Sequence, residues 1–243
     1  MRKTLALMLA LVMIVALCAC GAETAEESVA AEASAAGEEA GVFADVAGTY
    51  DELFPVMADA QYDQLWLDNC AAVVGEEAAA ETAEALKSAC MGTIYGQEAI
   101  DAYGDGSNGA QFDCYFINGV KQFTFDGNTV TGTDEAGNEV FSHEYAYVQD
   151  LAIGPMPAGR LYKTEDADAG EFTYFLMLPD TPDSTYHIEF RYGSDIEALS
   201  QYNEGPYAYW LAAGIPADRD EALIRNVIEL FCTENLAEEE EAA

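Results

Sequence analysis

The chain has 243 residues, 51% of them apolar, and its 9 Lys+Arg against 45 Asp+Glu give a formal net charge of −36. That length fits one domain of roughly 100–200 residues plus tails, and the 11% of aromatic residues supplies enough core to exclude wholesale disorder. So negative a chain repels phosphate backbones, which excludes nucleic-acid binding and any docking on anionic membranes through basic residues.

The first elements are an export leader and a spacer. Arg2 and Lys3 precede a continuous apolar run, Leu5 to Leu17, shorter than the ~20 residues of a spanning helix. It ends in LCACG, a pattern that resembles a bacterial lipobox and implies cleavage before Cys20 and lipidation of that thiol. Residues 21 to 42 (GAETAEESVAAEASAAGEEAGV) hold Ala, Glu, Gly and Ser with no aromatic residue, the composition of a flexible acidic linker. The expected organisation is a leader over 1–19, lipidated Cys20 with its linker over 20–42, a folded domain over 43–236 and an acidic tail over 237–243. The chain is thus expected outside the cytoplasm, held to the bacterial membrane by lipid alone.

Helices open the folded part. Thr49 and Glu52 have capping-box spacing ahead of YDELFPVM, with Pro55 disturbing the middle of that segment. Tyr62 to Val74 places Leu65, Trp66 and Val73 at helical spacing. Glu76 to Met91 carries Ala79, Ala83, Leu86 and Cys90 on one stripe and stops at Gly92. From Gln111 the period changes to two. QFDCYFI, VKQFTF, NTVTGT, NEVFSHEYAYV, GRLYKT, EFTYFLML and STYHIEFRY read as strands separated by NG, DGN, EAGN and GP turns, a meandering antiparallel sheet curled into a barrel. Helix returns at Asp195 to Tyr202 and again from Asp218, where Leu223, Ile224, Val227, Ile228 and Phe231 share a stripe. With Cys18 and Cys20 assigned to the leader, Cys70, Cys90, Cys114 and Cys232 remain. In an exported chain they suit two disulfides, with three pairings open.

HIEFRYGSDIEAL, then NEGPYAYW, then DRDEALIRNVIEL resemble the ZinT (YodA) family of extracytoplasmic zinc-binding proteins. In that family an HxHxRYG-like strand leads through an aromatic stretch to a final helix. AGTYDELFP resembles the family's opening segment, and FTFDGNTVT with HEYAYV its first barrel strands, so the resemblance spans Val46 to Leu236. It implies a mainly β fold with α, a calycin or lipocalin-like antiparallel barrel with N- and C-terminal helices. It also implies a role in binding zinc and supplying it to a metal-import system. The family's three zinc-binding histidines fall on His187, Glu189 and Leu178, so one histidine is kept, one becomes a carboxylate and one is lost.

The residues themselves allow a metal site. Alternation in STYHIEFRY places Tyr186, Ile188, Phe190 and Tyr192 on one face and His187, Glu189 and Arg191 on the other. Zinc accepts both imidazole nitrogen and carboxylate oxygen, and Asp180, two residues past Leu178, is the expected third ligand. The competing account makes His187, Glu189 and Arg191 the polar face of a half-buried strand, with Arg191 pairing Glu189. His143 lies on the face of Phe141 and Tyr145 and reads as structural. No nucleophile elbow, phosphate loop or metal knuckle is present, so no enzyme is expected. Two further readings remain: a calycin-like lipoprotein that has lost its metal and binds an apolar small molecule or a surface partner, and loose gathering of cations by surface charge.

Overall fold

The computed structural model of the chain describes residues 41–105, 111–154 and 156–236. Cys20, the leader and the acidic tail lie outside them, as does the linker up to residue 40. Nine strands among the described residues form one antiparallel sheet in the order β4-β3-β2-β1-β9-β8-β7-β6-β5. They are β1 (Gly48–Glu52), β2 (Gln122–Asp126), β3 (Thr129–Thr133), β4 (Glu139–Glu144), β5 (Ala146–Ile153), β6 (Met156–Lys163), β7 (Tyr174–Met177), β8 (Ile188–Gly193) and β9 (Ala212–Pro216). A flat sheet of nine strands would hold its edges about 38 Å apart, eight spacings of about 4.8 Å. Yet the edge strands β4 and β5 are separated only by Tyr145, so the sheet must curl back on itself. No ladder joins β4 to β5, and the result is a half-barrel with an open seam rather than a closed barrel.

Alternation fills the concave side. Phe123, Phe125, Phe175, Phe190 and Tyr192 are at most 1% exposed, with ring centroids 5.1 Å apart for Phe123–Phe190 and 5.3 Å for Phe175–Tyr192. Such aromatic pairs pack edge-on or offset at 4.5–7 Å, and here they occupy the lumen.

The second core lies on the convex side, between the sheet and the helices. Helix α1 (Leu53–Met57) follows β1 directly. Helices α2 (Asp63–Val74) and α3 (Glu76–Ala89) come next, then α4 (Gln97–Tyr103), and later α5 (Pro182–Thr185), α6 (Ile196–Ser200) and the final α7 (Glu221–Leu236). Leu53, Trp66, Leu86, Ala213, Ile215, Val227 and Ile228 share this core. It fastens α7 against α2, with Trp66 and Phe231 edge to face at 5.8 Å.

Several elements differ from the sequence expectation. Thr49 does not cap a helix: it pairs with Thr124 while Asp51 pairs with Ile215, because ladders on both sides of β1 outweigh a local capping preference. Pro55 is the third residue of α1, where its missing N–H has no intrahelical partner to lose. Gln111–Ile117 is not a strand; only Asp113 makes bridges, to Met91, Gly92 and Trp210. NEVFSHEYAYV breaks at Tyr145 into β4 and β5. The central strand β9 is built from Ala, Gly, Ile and Pro with little strand signature. Its small residues are needed there, since a Cβ on Gly214 would lie 3.1 Å from Tyr50 Cβ and 3.3 Å from Ile188 Cγ1. Cys70, Cys90, Cys114 and Cys232 form no disulfide in this structure, and they stand in two adjacent pairs. No described helix is long and apolar enough to cross a membrane.

Candidate functional site

The hairpin joining β7 to β8 carries the candidate residues. Its register pairs Met177 with Phe190 and continues as Leu178 N–H donating to the Glu189 carbonyl at 2.9 Å. Two further steps set Asp180 opposite His187. Between them Pro182 opens α5, Thr181 and Ser184 form its capping box, and Tyr186 ends it in the left-handed region at φ 65°. This turn stops the alternation early. Tyr186 packs with the convex core instead of joining Ile188, Phe190 and Tyr192 inside the barrel. Leu178, at the position of the third family histidine, is buried and pairs with Glu189, so that position offers no donor atom. Asp180, two residues on, reaches the same convex side.

There His187, Glu189 and Asp180 line one pocket with Glu234, Leu53, Phe54, Val227, Leu230, Phe231 and Asn235. His187 is 9% exposed and Glu189 5%, while Asp180 is half-buried and Glu234 exposed at the mouth. His187 Nδ1 lies 2.7 Å from the Thr185 carbonyl. A carbonyl only accepts, so Nδ1 carries the proton and Nε2 keeps the lone pair of the neutral ring. Nε2 points at Glu189 Oε1, 3.6 Å away. The other oxygen, Glu189 Oε2, is buried without a hydrogen-bond partner. Leaving such an acceptor unmet costs on the order of 1–3 kcal/mol, more when it is charged.

The electrostatics follow from this crowding. Burial works against the imidazolium of His187, but Glu189, Asp180 and the Thr185 carbonyl outweigh it and raise its pKa above the ordinary value. Burial, reinforced by Asp180, lifts Glu189 above the ordinary carboxylate range despite the opposing pull of His187. Glu234 is raised as well, chiefly by burial. These groups therefore keep their protons to higher pH than ordinary imidazole and carboxylate.

Arg191 does not pair with Glu189. It is fully buried and donates to the carbonyls of Leu199 at 2.6 Å, Gln201 at 2.8 Å and Tyr207, with its guanidinium about 6.0 Å from the Trp210 ring. Those bonds fix the segment from α6 to β9 and leave Glu189 free. His143 bonds through Nδ1 to Asp166 Oδ2 at 2.8 Å and stacks on Phe141, a role in holding β4 to the loop between β6 and β7. Glu234 escaped the sequence reading. Its signal was available: it follows Val227 by seven residues and so lies in line with the buried stripe of α7 at its exposed end. Among the described residues no three imidazole, carboxylate or thiol groups already converge on one point as a metal shell. His187 and Glu189 are in contact, whereas Asp180 and Glu234 share only their pocket.

No protein-family model matches the chain, and no curated protein matches it. Among solved structures it is similar to the Zn(II)-bound ZinT-like domain of Streptococcus pneumoniae AdcA, with 18% identity and a TM-score of 0.46 over 77% of this chain and 88% of that one. It is also similar to Zn(II)-bound AdcA from the same organism, with 16% identity and a TM-score of 0.44 over 77% of this chain and 34% of that one.

Proposed function

We propose that the chain binds one divalent metal ion, zinc first among them, in the pocket between the β7–β8 hairpin and α7. His187 Nε2 and Glu189 are its principal ligands, and Asp180 swings in as the third. The observation that carries this reading is the buried, unpartnered Glu189 Oε2 beside an imidazole whose Nδ1–H is already committed to a carbonyl. A histidine oriented through its other nitrogen is the usual arrangement of a metal ligand. One imidazole with carboxylates fits zinc, and the sequence resemblance implies the same ion. A carboxylate-lined cleft on the convex side also favours a metal over an apolar ligand, since aromatic rings already fill the lumen.

In this reading the ion is cargo. The chain is tethered outside the cytoplasm through lipidated Cys20, takes up zinc and passes it to an import system, and it performs no catalysis. X-ray absorption of the zinc-loaded protein tests the site. One imidazole with oxygen donors at about 2.0–2.2 Å supports it; a shell of oxygen alone contradicts it.

A further inference from the structure

We propose that Cys70 with Cys232, and Cys90 with Cys114, are two disulfide sites that close by exchange with an external disulfide of the glutathione type. The sequence leaves three pairings open, and the fold selects one. Cys70 on α2 and Cys232 on α7 stand with their sulfurs 3.8 Å apart, both fully buried. Cys90 ends α3, and the antiparallel bridge from Met91 to Asp113 sets Cys90 opposite Cys114 one step along. The thiols of that second pair are near enough to act on each other electrostatically, and both are buried. Each pair needs its sulfurs to approach to the ~2.05 Å of a disulfide. All four lie in the convex core, so the two bonds would tie α7 to α2, and the end of α3 to the segment that follows α4.

The exchange balances without a metal or oxygen. One protein thiolate attacks the donor disulfide, forms a mixed disulfide and expels one donor thiol. The neighbouring protein thiol then attacks that mixed disulfide and expels the second. Two protein S–H groups become one S–S bond while the donor disulfide is reduced to two thiols. Burial raises the thiols of Cys70, Cys114 and Cys232 above the ordinary range, so few thiolates form in the native state and closure belongs to folding.

The test refolds the full chain from its reduced, denatured state with oxidised and reduced glutathione, followed by alkylation of remaining thiols and peptide mapping by mass. Mapping separates these links from any made by Cys18 or Cys20. The expected result is two cross-linked peptides, Cys70 to Cys232 and Cys90 to Cys114, with none of these four alkylated. Any other linkage among the four, glutathione retained on them, or their recovery as alkylated thiols overturns the proposal. The Cys70→Ala variant is expected to leave the Cys90–Cys114 link intact. The map of the unsubstituted chain decides the matter even where that variant does not fold.

Discussion

His187 Nε2 lies 3.6 Å from Glu189 Oε1, and the second oxygen of the same carboxylate is buried with nothing to accept from. Two residues apart at the start of β8, they face the convex side, where α7 covers them. Most acidic side chains among the described residues face water; this one is enclosed against an imidazole. The site reading rests on that contrast.

Protons and metal compete for these groups. Both His187 and Glu189 hold protons more tightly than ordinary imidazole and carboxylate, and a ligand must shed its proton to coordinate. Zinc affinity is therefore expected to fall as pH drops, beginning above the ordinary histidine value of ~6.5. Uptake is expected to release protons held by the site. Calorimetric titration in buffers of different ionisation enthalpy measures that release. Binding without proton release contradicts the assignment.

Glu234 provides a graded variant. It stands at the mouth of the pocket on α7 and interacts electrostatically with His187 and Asp180. Glu234→Gln removes a charge but little volume, so zinc is expected to bind at the same stoichiometry and roughly 3–10-fold more weakly. The loss should shrink in high salt. An unchanged affinity at low salt would take Glu234 out of the site.

Much of this architecture was legible in the sequence, for identifiable reasons. Strands β2, β3 and β8 alternate in sequence because one face fills the barrel, β7 is an unbroken apolar run, and α3 and α7 carry the stripe they bury. His187, Glu189 and Asp180, singled out in the sequence, line one pocket. What escaped depends on pairing or crowding. The segment that forms β1 reads as a helix start until its partners β2 and β9 are known. The strand β9 holds small residues because Tyr50, Ile188 and Phe116 press on Gly214, and small residues carry little strand signature. Glu234 was hidden among 45 acidic residues, its meaning set only by the hairpin that α7 covers.

Arg191 is expected to matter for stability rather than for metal. Arg191→Met keeps most of the volume but orphans the carbonyls of Leu199, Gln201 and Tyr207. At roughly 1–3 kcal/mol for each unmet acceptor, with partial relaxation, a loss of about 3–5 kcal/mol follows. Urea unfolding checks the size, and zinc titration of the folded variant should show an unchanged site. A stability loss under about 1 kcal/mol contradicts the role given to Arg191.

Asp113 gives the fold a pH dependence of its own. Burial raises its pKa from 3.8 to about 6, although its carboxylate accepts the Tyr115 N–H at 2.8 Å. A carboxyl whose folded pKa exceeds its unfolded value stabilises the fold below about pH 4, and that contribution is lost as pH rises through about 6. Asp113→Asn keeps the acceptor and removes the charge. Relative to the natural protein, the variant is expected to be more stable by about 1–3 kcal/mol at pH 7.5, with the difference closing by pH 4. Denaturant unfolding across that range measures it. A difference independent of pH contradicts the account of Asp113.

The most direct test of the central claim is calorimetric titration of the metal-free protein with zinc in moderate salt, beside the His187→Ala variant. The account predicts one saturable site in the natural protein and its loss in the variant. Heat that is salt-sensitive, unsaturable and equal in the two proteins would contradict it, leaving only loose attraction of cations to an acidic surface.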